Sequence, residues 1–189
     1  MKKLISLCLY LAVACFLPYN PASADLITSP TDPALSGIPG INFDDQALGQ
    51  YESLTIGNVT FTPSLSTVAQ NSILVPYYYY GAYLYISNTY TGGYPYYTSG
   101  RYLNNGGYNE ETPGCDIITI SFATPTSAFG FSWGAADEDW TLTAYDSSDS
   151  LLETHILLPY SSAESSSFYG IAHSGIKNSF WYRITPITP

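Results

Sequence analysis

Twelve of the nineteen tyrosines fall between residues 77 and 108. Phenols at that density suit one kind of chemistry: the rings stack on flat or apolar partners while the hydroxyls exchange hydrogen bonds. Tyr77, Tyr78, Tyr79 and Tyr80 form one run, and Tyr83, Tyr85, Tyr90, Tyr94, Tyr96, Tyr97, Tyr102 and Tyr108 follow among Gly, Ser, Thr and Asn. One small core cannot enclose so many phenols cheaply, because each buried hydroxyl needs a partner. Many of these rings are therefore expected at a surface. Tyr mixed with Gly, Ser and Asn is also the composition of surfaces that grip a partner by stacking and adaptable hydrogen bonding.

Carboxylates are the second group with chemical potential. Asp137-Glu138-Asp139 is the densest acidic cluster and lies between Trp133 and Trp140. Carboxylates and loop carbonyls are hard oxygen ligands that suit calcium at extracellular concentrations. Asp44 and Asp45 would join Asp137 and Asp139 in such a site if the first and last strands meet. The spacing of an EF-hand is missing, and a solvated acidic loop is the competing account. Calcium is the one cofactor this pattern suggests. Asp146 and Asp149 bracket two serines and are expected to cap backbone amides of a turn. Glu110, Glu111 and Asp116 flank the tyrosine segment, where solubility explains them as well as cation or sugar binding does.

Trp133, Trp140 and Trp181 are candidates for stacking on a sugar ring. Trp140 opens an alternating strand and reads as core. Trp181 is out of phase with Phe180 and Tyr182, which sets it beside Arg183 on the opposite strand face. Trp133, Trp181 and Arg183 thus form the candidate glycan-binding set. His155 and His173 have neither metal-ligand spacing nor a nucleophile elbow nearby. Fifteen acids supply many carboxylate pairs, so pairing alone does not single out a glycosidase. The expectation is a non-catalytic protein.

The elements that must position these groups read as strands. After residue 24 no stretch shows a helical period. Short β-branched and aromatic runs alternate with Gly, Pro, Asn and Ser. Residues 25–37 read as irregular, and Ile38 to Phe43 as the lead into a first strand. Tyr51 to Ile56 and Val59 to Thr62 flank a Gly57-Asn58 turn. Ser72 to Val75 and Ala82 to Ser87 are further strand candidates, and residues 88–114 read as a long loop or ribbon. Ile118, Ile120 and Phe122 alternate with Thr119 and Ser121, as a half-buried strand does. Ala128 to Trp133, Trp140 to Tyr145, Leu151 to Leu158, Phe168 to Ile171 and Phe180 to Thr185 complete a set of roughly nine or ten short strands. The expected fold is all-β: an antiparallel β-sandwich, as a jelly roll, with a tyrosine- and glycine-rich insertion at about residues 76–114.

The N-terminus reads as a secretory signal. Lys2 and Lys3 precede an apolar run from Leu4 to Leu17, and Ala22-Ser23-Ala24 offers small residues for cleavage before Asp25. About fourteen apolar residues are too few to span a bilayer; lipoprotein processing at Cys15 is a less fitting alternative. The mature chain, residues 25–189, is then one domain that is secreted and possesses no transmembrane segment. Its basic residues are Arg101, Lys177 and Arg183, set against fifteen acids. Such a balance repels nucleic acid and anionic membranes. Cys115 alone survives cleavage, so no internal disulfide forms; it is either a small buried residue or a thiol free to pair between chains.

The order of several short pieces resembles a group of exported bacterial β-sandwich proteins associated with PEP-CTERM sorting tails. These pieces are Ile41-Asn42-Phe43-Asp44-Asp45, Gly57-Asn58-Val59-Thr60-Phe61, Ile118-Thr119-Ile120-Ser121-Phe122, Ala128-Phe129-Gly130-Phe131, Leu142-Thr143-Ala144-Tyr145-Asp146, Phe168-Tyr169-Gly170-Ile171 and Gly175-Ile176. The resemblance implies a lectin-like or carbohydrate-binding jelly roll. This sequence departs from the group in reaching Pro189 without the sorting tail and in having the tyrosine-rich insert. Two functions then compete: self-association through the tyrosine-rich surface, as an adhesive, fibre or extracellular-matrix subunit associated with the cell surface, and binding of extracellular glycan.

Overall fold

Ile118, Ile120 and Phe122 place three large apolar side chains on one face of a strand, and that strand organises the molecule. The computed structural model describes residues 25–65, 82–88, 100–105, 117–134, 139–158 and 167–183, with the backbone alone described for 180–183. Among these residues ten strands and one short 3-10 turn (Pro33–Leu35) occur. The strands are β1 (Asp25–Ile27), β2 (Gly49–Tyr51), β3 (Leu54–Ile56), β4 (Val59–Ser64), β5 (Leu84–Ser87), β6 (Tyr102–Asn104), β7 (Ile117–Trp133), β8 (Trp140–Tyr145), β9 (Leu151–Leu157) and β10 (Ser167–Arg183). All pairings are antiparallel. One sheet runs β3-β4-β7-β10-β8-β9 with β1 added to β10, and the other runs β2-β5-β6. The fold is an all-β, sandwich-like packing of antiparallel sheets. Among the described residues the strands divide between the two sheets as seven and three.

The small sheet lies against the large one through its apolar face. Leu84 and Ile86 of β5 are fully enclosed and join Phe61, Ile120, Phe129, Leu142 and Ile171 in one core cluster. Rings line this core in a continuous series. Phe122 meets Phe129 at 5.6 Å, Phe129 meets Phe131 at 6.4 Å, Phe131 meets Trp133 at 6.1 Å, and Trp133 meets Trp140 at 5.7 Å between centroids. The last two contacts are edge-on, the geometry that sets a ring's positive rim against its neighbour's negative face.

Two sequence-based expectations are corrected here. Ala128–Trp133 and Phe168–Ile171 are not separate short strands. They are the ends of two 17-residue strands, β7 and β10, that pair with each other on both sides of an interruption. Each would extend roughly 55 Å if straight, far more than a domain of this size spans, and each is interrupted midway. Ala172 and Ile176 face Ala128 and Thr126, after which Ile176 and Asn178 face Thr126 and Ser121. This slippage inverts the alternation. Ile118, Ile120 and Phe122 occupy even positions and Phe129 and Trp133 odd ones, yet all five join the same core. Gly175 turns within the interruption at φ 82°. Lys177 secures it: its ammonium donates to the carbonyl of Ala123 at 2.9 Å and also to that of Phe122.

The N-terminal region is the second correction. Residues 38–43 form no strand, whereas Asp25–Ile27, read as irregular, pair with Ala172 to Gly170 of β10. The ring of Phe43 is nonetheless used, meeting Phe61 edge-on at 5.6 Å. Local turns behave as expected. Gly57, at φ 60°, takes the first position of the two-residue loop between β3 and β4, where a type II′ hairpin requires glycine. In the β8–β9 turn Asp146 Oδ1 accepts from the amides of Ser148 at 2.7 Å and Ser150 at 3.0 Å.

Candidate functional site: the outer face of the small sheet

Period-two alternation decides what β5 and β6 present outward. With Leu84 and Ile86 committed to the core, Tyr85 and Ser87 take the other face. The register sets Gln50, Tyr85 and Asn104 in one cross-strand row and Ser87 opposite Tyr102 in the next. Directly opposed residues share a face, so this surface is built from two phenols, two amides and a hydroxyl. Tyr83, Tyr85 and Tyr102 are each half-buried and Gln50 is exposed. The Asn104 side-chain amide donates to Ser87 Oγ at 2.9 Å, which orders the row. Such a face offers ring faces and hydrogen-bonding groups with no fixed charge.

The approach to this face is fastened by charge. Gly100 and Arg101 lie just before β6, and the amide of Arg101 donates to Asp44 Oδ1 at 2.8 Å. The Arg101 guanidinium donates to the carbonyl of Gln46. The loop ahead of β2 is itself folded: Asn42 Oδ1 accepts from the Asp44 amide at 3.2 Å, and the Tyr51 hydroxyl donates to the Ala47 carbonyl at 2.7 Å. Gly100 adopts φ 95°, and a Cβ there would come within 2.4 Å of Asp44 Oδ1. Glycine is therefore needed twice at that position, for backbone conformation and for room.

The expected site residues distribute as follows. Tyr83, Tyr85 and Tyr102 are the members of the tyrosine series within the described residues. Tyr77 to Tyr80, Tyr90, Tyr94, Tyr96, Tyr97 and Tyr108 lie outside them, as do Asp137, Glu110, Glu111, Cys115, Asp116 and the signal-like segment. Trp133 is 9 % exposed, with Phe131 and Trp140 against it. That position gives its ring to packing and removes it from a sugar-stacking surface. In the backbone register Trp181 pairs with Ile118 and Leu142, and Arg183 with Trp140.

Asp44 is given to the Arg101 amide, Asp45 is exposed, and Asp139 is half-buried beside Trp140. Among the described residues no three His, Cys, Asp or Glu side chains gather as a metal site. His155 Nε2 lies 3.2 Å from Glu153 Oε1, two residues away on the same strand. His173 Nδ1 bonds the carbonyl of Ser174 at 2.8 Å. Neither histidine adjoins a nucleophile in these contacts.

Sequence reasoning missed the fastening by Arg101. Its signal was present: Arg101 is the one Lys or Arg between Tyr77 and Tyr108 and directly follows a glycine. No helix among the described residues is long and apolar enough to cross a membrane. No protein-family model matches the chain, and neither does any curated protein or solved structure.

Proposed function

We propose that residues 25–189 form a secreted, non-catalytic structural or adhesive protein that self-associates through its tyrosine-rich surface, as a subunit of a fibre or extracellular matrix. The signal-like N-terminus supports export, and cleavage after Ala24 would leave β1 complete. One observation is central: β5 encloses Leu84 and Ile86 completely while Tyr83 and Tyr85 remain half-exposed beside it, with Tyr102 on the neighbouring strand. The alternation spends its apolar positions on the core and leaves the phenols half-exposed on the other face. Clustered Tyr is enriched where protein surfaces meet. Arg101 and Asp44 fasten the segment at one end, which lowers the ordering entropy that association would otherwise cost.

The test is the size of the exported chain as a function of concentration, with the double variant Y85S/Y102S beside it. Association that weakens in the variant at unchanged thermal stability supports the proposal. Equal association in both proteins removes the tyrosine face from it.

A second reading, a lectin-like domain for extracellular glycan, is favoured by the Gln50–Tyr85–Asn104 row. Amides flanking a phenol can take sugar hydroxyls while the ring meets the C–H face of a pyranose. A glycan array probed with the exported chain separates the two readings, since only glycan recognition gives saccharide-dependent binding that Y85S abolishes. The jelly-roll topology and calcium stabilisation belong with this reading.

A further inference from the structure

The self-association proposed above needs a joint, and resting on that reading the large sheet offers one at β9. This strand pairs with β8 on one side, and among the described residues no strand pairs with its other side. Free strand edges present rows of unpaired N–H and C=O groups, and soluble proteins usually blunt them with Lys, Pro or a very short strand. The opposite end of the sheet follows that practice, since β3 has three residues. β9 does not. It has seven residues, Leu-Leu-Glu-Thr-His-Ile-Leu, with no Lys, Arg or Pro. Leu151 is 58 %, Ile156 57 % and Leu158 61 % exposed.

We propose that two copies of this chain pair antiparallel along β9 about a two-fold axis at Thr154, joining their large sheets into one. Pairing of carboxylate with imidazole chooses the register. In this arrangement Glu153 stands opposite His155 of the second copy, and the symmetry repeats the contact. Ile156 stands opposite Leu152, at the bulge. An axis at residue 153 would set Glu153 against Glu153, and one at residue 155 would set histidine against histidine. An axis midway between residues sets Glu153 opposite Thr154 or Leu152. Thr154 is the centre that gives each acid a basic partner, and directly opposed like charges are disfavoured. Glu153 and His155 already meet within one strand at 3.2 Å, so both side chains lie along the face where a second pair would complete a square of alternating groups. A two-fold contact is self-complementary and stops at two copies. The tyrosine face is a separate surface, so the two together extend an assembly beyond a pair.

One seven-residue edge is a small interface beside the roughly 1,200 Å² of stable complexes, so the contact is expected to be weak. Sedimentation velocity of the exported chain over about 1–200 µM, wild type against H155E and I156K, reads it. Both positions are on an edge strand and Ile156 is exposed, and matching melting temperatures confirm folding. Each variant is expected to weaken association at least about tenfold, since H155E places like charges opposite each other twice and I156K supplies the Lys that blunts an edge. Mixing H155E with E153K/H155K restores association between the two proteins. A second measurement does not depend on affinity. In a C115S background, T154C should yield a disulfide-linked dimer on mild oxidation, because residue 154 faces its own copy at a strand-pair distance of about 5 Å. Wild-type association that H155E and I156K leave unchanged, with no T154C dimer, overturns the β9 joint and leaves the self-association reading standing. A monomer at all concentrations overturns both.

Discussion

Arg101 donates its backbone N–H to the carboxylate of Asp44 at 2.8 Å, closing a contact between the loop before β2 and the residue that leads into β6. The guanidinium of the same arginine reaches the Gln46 carbonyl. One residue thus uses both its main chain and its side chain on a five-residue turn. D44A removes the acceptor and is expected to cost about 1 kcal/mol of unfolding free energy, at the low end for a charged acceptor because the site is exposed. D44N keeps an acceptor oxygen and should lose less. Urea unfolding of the two variants checks the order, and equal losses would contradict the role of the acceptor oxygen.

Gly100 tests the same contact from the other side. A Cβ there meets Asp44 Oδ1 at 2.4 Å, and φ is already 95°. G100A should destabilise by about 1–3 kcal/mol. Combining it with D44A should cost less than the sum of the two changes, because the clash and the lost hydrogen bond share one oxygen. A thermal-melt double-mutant cycle measures that coupling.

Gly170 faces Gly130 across the β7–β10 pair. A methyl group at 170 would stand 2.2 Å from the Phe129 carbonyl oxygen and 2.8 Å from the Gly130 Cα. Backbone atoms cannot yield as a flexible side chain does. G170A is expected to destabilise by at least about 2–3 kcal/mol, read as a lower denaturation midpoint. A change within 0.5 kcal/mol would contradict so close an approach.

Lys177 satisfies the Phe122 and Ala123 carbonyls where the long strands slip register. K177M keeps much of the aliphatic stem and removes the donors. Its expected cost is about 1–3 kcal/mol. Hydrogen exchange should quicken around residues 122–128 more than in β8; uniform acceleration would show that the lysine does not act at the interruption.

The second half of the chain was legible wherever one strand face is apolar and the other polar, as at Ile118–Phe122 and Trp140–Tyr145. Asp146 and Gly57 were legible because their turns are closed by neighbours in sequence. What escaped was set at a distance. β1 acquires its strand character from β10, about 145 residues later, and nothing in Asp25-Leu26-Ile27 announces it. The joining of Ala128–Trp133 to Ile117–Phe122 escaped because an irregularity flips the alternation between them, and a flipped alternation looks like a strand end. Of the candidate site, the outward turn of Tyr85 followed from its neighbours Leu84 and Ile86. The Asp44–Arg101 fastening and the β9 edge that no described strand pairs did not, since both need strand order.

Sedimentation velocity of the exported chain at rising concentration bears most directly on whether phenols and the β9 edge draw copies together. The expected result is a weight-average sedimentation coefficient that climbs with concentration and falls back in Y85S/Y102S. A single concentration-independent monomer boundary would contradict it.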